Sequence, residues 1–86
     1  EASGEINFTV ADAPACVRAV LASYGSDIAS TDELDGVTVD LGDGRWFNLR
    51  SSNTEPLLRL NVESRTRVEV DQIVEHIAAQ IRASAP

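Results

Sequence analysis

Between Val37 and Val62, apolar residues return at every second position in three successive runs: Val37, Val39 and Leu41; Phe47 and Leu49; Leu58, Leu60 and Val62. A period of two puts alternate side chains on opposite faces, so each run reads as a strand with one face buried. Gly42-Asp43-Gly44 separates the first two runs. These residues tolerate left-handed backbone and mark a hairpin. Consecutive strands joined by short turns pair antiparallel. Because each strand offers a single apolar face, the rest of the chain must cover one side of the sheet.

The flanking segments supply that cover. Ile6, Phe8 and Val10 alternate with Asn7 and Thr9, giving one more half-buried strand. Asp12 is a helix cap with Pro14 in the first turn, and Val17, Val20, Leu21 and Tyr24 form a helical apolar face that Gly25 ends. Thr66-Arg67-Val68-Glu69 reads as a capping box, opening a helix whose buried stripe is Val70, Ile73, Val74, Ile77, Ala78 and Ile81. The acidic stretch 26–36 reads as a solvated connection with room for an extended piece near Ile28–Ser30; its carboxylate spacing does not fit a calcium loop. Residues 1–86 are thus expected to form a single two-layer α+β domain. Its four-stranded antiparallel sheet carries two helices on one face, in the order β-α-β-β-β-α.

The strands Arg45–Leu49 and Leu57–Val62 bracket a segment that does not belong in a core: Arg50-Ser51-Ser52-Asn53-Thr54-Glu55-Pro56. Backbone N–H groups of a tight turn can form a nest for an anion. Hydroxyls, an amide and a planar guanidinium add donors that match phosphate oxygens. An ordinary polar turn uses the same residue types for local reasons. Both readings stand on composition alone. Arg59 projects from the same face as Arg50, either to raise the local potential or to pair with Glu63 or Asp40. Trp46 lies on that face too, placed to pack on a neighbouring surface or an adjacent domain. His76 falls at the edge of the last helix's stripe and reads as a surface residue.

The net charge of -7 argues against a nucleic-acid partner, whose affinity comes from basic residues. It leaves room for a small phosphate site, where the local field decides. No apolar run approaches the roughly 20 residues of a membrane helix. Cys16 is the single cysteine, read as a small buried helix residue and compatible with a reducing cytoplasm. All seven basic residues are Arg, which with the high Ala content suits a GC-rich bacterial genome. The chain opens at Glu1 with neither initiator Met nor signal-peptide pattern, as an excised domain would.

The run Arg50-x-Ser52-Asn53-Thr54-Glu55-Pro56 followed by Leu57-Leu58-Arg59-Leu60 resembles the phosphate-binding loop of the alpha-D-phosphohexomutases, the phosphomannomutase/phosphoglucomutase enzymes. Ser3-Gly4-Glu5-Ile6-Asn7 resembles the family's entry into its fourth, C-terminal domain, and Asp35-Gly36-Val37 with Asp43-Gly44-Arg45-Trp46 resembles that domain's central hairpin. The resemblance covers essentially the whole chain. It implies a fold similar to the TATA-binding protein, without DNA binding. Position by position, it implies that Arg50, Ser52, Asn53 and Thr54 contact the substrate phosphate, with Glu55 and Pro56 shaping the loop.

The family interconverts hexose 1-phosphate and hexose 6-phosphate. A phosphoserine in its first domain, a magnesium ion in its second and a sugar-reading loop in its third carry the chemistry. The resemblance therefore implies no catalytic residue and no cofactor bound here, with magnesium expected in the parent enzyme. The implied partners are a mannose or glucose phosphate or bisphosphate and the three other domains, with neither nucleic acid nor membrane. Asn53, where phosphoglucosamine-acting relatives usually carry Gly, leans towards mannose and glucose. The alternative is a small non-catalytic regulatory or protein-interaction module whose polar loop binds nothing in particular.

Overall fold

The computed structural model describes residues 1–33, 36–52 and 54–84. Strand β1 is Ile6–Thr9, helix α1 Ala13–Tyr24, strand β2 Ser30–Asp32, β3 Val37–Gly42, β4 Arg45–Ser51, β5 Leu57–Glu63 and helix α2 Arg67–Ala83. The strands form one antiparallel sheet in the order β1-β5-β4-β3-β2. The α+β architecture, the antiparallel pairing and the two helices are as the alternation implies. The strand count differs: five, not four. The additional β2 pairs with β3 through Ser30↔Asp40, Thr31↔Val39 and Asp32↔Thr38. All three of its residues are exposed, so no apolar alternation announces it. It exists because the free edge of β3 accepts a hydrogen-bonding neighbour.

The β3–β4 hairpin turns on Asp43 and Gly44, with φ of 57° and 77°. Positive φ at both central residues is the turn whose twist matches a two-residue hairpin. Arg45 braces it, donating from Nε to the Gly42 carbonyl at 3.2 Å and from Nη2 to the Leu41 carbonyl at 2.9 Å.

Phe47, Leu49, Leu58, Leu60, Val62 and Val39 from the sheet meet Val20, Val70 and Ile77 from the helices, all fully buried. The core is therefore built wholly from the chain's own layers. On α1, Cys16 and Val20 are the buried pair, and Val17, Leu21 and Tyr24 pack around them half-buried. Asp12 caps α1 by accepting the Ala15 N–H at 3.1 Å.

Only half of the expected capping box forms on α2. Thr66 Oγ1 accepts the Glu69 N–H at 3.2 Å, but the Glu69 carboxylate accepts from the buried Ser64 hydroxyl at 2.9 Å. His76 is not a lone surface group. Its Nε2 lies 2.9 Å from the Ser23 hydroxyl, and its ring is 4.6 Å from that of Tyr24.

Candidate functional site

The polar loop leaves the end of β4 and returns into β5. Its mouth is closed by the Ser52 N–H donating to the Leu57 carbonyl at 3.2 Å. Inside, Ser52 Oγ accepts the N–H groups of Thr54 and Glu55, each at 3.3 Å. A serine hydroxyl replacing a backbone acceptor in this way makes a tight turn. Ser52 thus shapes the loop alongside Glu55 and Pro56, while its own hydroxyl hydrogen remains a donor. The Glu55 carbonyl accepts from Leu57 N–H at 2.8 Å, and the Pro56 carbonyl accepts from Val10 N–H at 2.8 Å, fastening the loop to the end of β1. Thr54 is exposed at the turn. Asn53 lies outside the described residues.

Arg50 is exposed on the sheet face turned away from the helices, as the alternation of Phe47 and Leu49 requires. Its partner across the strands is Arg59, whose other neighbour is Asn7 on β1. The register thus brings two basic residues to neighbouring positions at the loop end of the sheet. Among the described residues Arg59 makes no ion pair with Glu63 or Asp40, the surface pairing that its sequence position allowed. Its Nε is buried and has no hydrogen-bond partner among the described residues. A buried donor left unpaired costs about 1–3 kcal/mol. The loop side of the open face therefore holds two arginines, within a chain of net charge -7.

Gly36 is a residue whose importance the sequence does not display. Its φ is +74°, and a Cβ there would lie 2.7 Å from the Leu49 carbonyl oxygen and 3.2 Å from the Arg50 Cβ. Glycine lets the chain pass against the base of Arg50. The acidic stretch is distributed: Asp27 lies in a 3-10 turn, Asp32 on the edge strand, and Asp35 outside the described residues. Among the described residues no group of three or more His, Cys, Asp or Glu is placed to hold a metal ion. No helix among them is long and apolar enough to cross a membrane.

Residues 5–80 match the family described as phosphoglucomutase/phosphomannomutase, C-terminal domain. A protein of Xanthomonas campestris pv. campestris (strain B100) named "Phosphohexose mutases" is 62% identical over 63 residues, 73% of this chain and 14% of its own length. A phosphomannomutase of Salmonella typhimurium is 50% identical over 64 residues, 74% of this chain and 14% of its own. A phosphomannomutase of Methanocaldococcus jannaschii is 39% identical over 85 residues, 95% of this chain and 18% of its own. The chain thus spans only about a seventh of the length of the first two relatives.

Proposed function

The chain belongs to the phosphoglucomutase/phosphomannomutase family as its C-terminal domain, and from that premise we propose that the Arg50–Thr54 loop grips the non-reacting phosphate of a hexose phosphate. The observation that carries this reading is the Arg50–Arg59 pair beside a closed, hydroxyl-lined turn, with the Arg59 Nε still a donor without an acceptor. A doubly charged phosphate answers both arginines at once. Arg50 supplies a charge-assisted planar fork, Ser52 and Thr54 supply hydroxyl donors, and Asn53 supplies its amide.

In this reading residues 1–86 are the phosphate-binding domain of a larger mutase that interconverts hexose 1-phosphate and hexose 6-phosphate, with mannose or glucose as the sugar. A serine-bound phosphoryl group passes to the sugar phosphate. The bisphosphate turns round, and its other phosphoryl group returns to the serine. The grip must accept either end of that intermediate, and phosphate is what the two ends share. Binding energy from the distant phosphate holds the reacting end in place. Magnesium, which the family resemblance implies for the parent enzyme, would be held by residues of another domain and would assist the transfer there. The 86-residue chain by itself binds phosphate without turning over sugar phosphates.

Titration of the 86-residue chain with inorganic phosphate or glucose 6-phosphate, followed by amide and arginine Nε NMR, tests the assignment. One loop that encloses only part of the ligand gives millimolar affinity, on the order of 4 kcal/mol. Shifts are expected at Arg50–Glu55 and at the Arg59 Nε–H, shrinking with added salt. A response centred on Asp27–Glu33, or none at high ligand, would contradict it.

A further inference from the structure

At the end of the open sheet face remote from the loop, Trp46 stands between Asp40 on β3 and Glu63 on β5, its partners across the strands. It is four residues from Arg50 along β4, about 14 Å at the rise of a strand, too far for the two to share one phosphate. Hollows flank the half-buried indole. One, of about 400 Å³, is bordered by Ala2, Asn61 and Glu63; the other, of about 560 Å³, by Asp40 and Asp43. An indole ridge between two hollows is the kind of aromatic anchor that interfaces insert into a partner. Asp40 and Glu63 are exposed and form no ion pair among the described residues.

The course of the chain indicates what meets this ridge. Ahead of β1 the backbone runs beside β5. The Ser3 N–H donates to the Val62 carbonyl at 2.9 Å, and the Ser64 N–H donates to the Glu1 carbonyl at 3.1 Å. Ala2 bridges antiparallel to Glu63. Ala2 therefore extends the row Asp40–Trp46–Glu63 by one place. In a protein of which this is the C-terminal domain, the polypeptide upstream of Glu1 arrives in the row that holds the indole. The matched stretch is 14% of the Xanthomonas and Salmonella relatives, so a large body of chain stands to be delivered there.

We propose that the Trp46 face docks the domain immediately N-terminal to this one in the same polypeptide, with the indole seated in an apolar recess and Arg or Lys side chains of that domain answering Glu63 and Asp40. The proposal rests on family membership and not on the phosphate grip.

The test compares the 86-residue chain with a full-length mutase ending in it, both labelled with 5-fluorotryptophan. Loss of one fluorine resonance in Trp46→Phe identifies Trp46, and its shift between H2O and D2O reports solvent contact. The partial shift of a half-buried indole is expected in the 86-residue chain and less than half of that shift in the full-length protein. Glu63→Arg, a change at an exposed position, should restore most of the shift in the full-length protein. Equal shifts in the two proteins overturn the proposal, as does a Glu63→Arg variant that stays protected. Protection that develops in the 86-residue chain as its concentration rises assigns the face to a second copy, and overturns it too. None of these readings involves phosphate, so failure here leaves the loop assignment where the titration puts it.

Discussion

Arg50 and Arg59 are opposite each other in the register of β4 and β5, so an anion held at that end of the sheet would answer both charges. The sequence shows both arginines on one face, through the alternation of Phe47, Leu49, Leu58 and Leu60. It does not show that Arg59 carries a buried Nε without a partner among the described residues, because the burial of a side-chain atom is decided by tertiary neighbours. Gly36 is equally silent in the sequence. Gly36→Ala places a Cβ against the Leu49 carbonyl and forces an L-residue to a φ of +74°. The left-handed conformation alone costs about 1–2 kcal/mol. At about 4–8 °C per kcal/mol for a domain of this size, the melting temperature should fall by roughly 10 °C. A variant that melts with the wild type would show that this approach is not needed.

Tyr24 offers a second residue-scale test. Burial pushes its phenol up to about 12, with nearby Asp27 adding to the rise and Arg45 opposing it. A hydroxyl whose folded pKa lies above its unfolded value of 10 contributes stability that is complete below pH 10 and lost as pH rises towards 12. Tyr24 is the only tyrosine, so the near-ultraviolet absorbance of tyrosinate reports it alone. The folded chain should titrate near 12; titration at the ordinary value of 10 would contradict the packing of Tyr24 against Phe47 and His76.

Elements with strong local signals were legible in the sequence. Helix α1 begins after Asp12 and ends at Gly25, and the hairpin turns at Asp43-Gly44, because caps and turns are decided by a few adjacent residues. Elements decided by distant partners were not. Strand β2 needs the edge of β3, and His76 finds Ser23 fifty-three positions away. The start of α2 shows both kinds. Thr66 caps it as read, whereas Glu69 turns to Ser64, a partner outside the capping-box pattern. That hydrogen bond, with help from Arg65, holds the Glu69 carboxyl below its ordinary value. A depressed carboxylate contributes stability present above its unfolded pKa and lost as pH falls through the folded one. Ser64→Ala should return the Glu69 titration, followed by carboxyl-carbon NMR, towards the ordinary carboxylate range, and acid unfolding should then begin at higher pH. An unchanged Glu69 titration would mean that the nearby arginines, Arg65 and Arg45, set it without Ser64.

At the scale of the whole molecule, the sheet is a plate with its ends put to different uses. The chain enters beside Trp46 and Glu63, and the polar loop stands at the far end of the same two central strands. The helices occupy one face, so the other is the face to which both proposals belong. The loop's polar composition was readable in the sequence, but its geometry was not: Ser52 holds the turn with the same hydroxyl that is proposed for the phosphate.

The most direct measurement is kinetics beside thermal melting for Arg50, Arg50→Ala and Arg50→Lys in a full-length mutase ending in this domain. Arg50 is exposed opposite the core residues Phe47 and Leu49, so its loss should change stability by roughly 0.5 kcal/mol or less. A charge-assisted fork to phosphate is worth about 1.5–3 kcal/mol, on the order of a 10- to 150-fold loss in kcat/KM for Arg50→Ala. Arg50→Lys should recover part of it, keeping the charge without the planar fork. An Arg50→Ala variant that retains near-wild-type kcat/KM, or that loses activity only because it melts early, would contradict the phosphate grip.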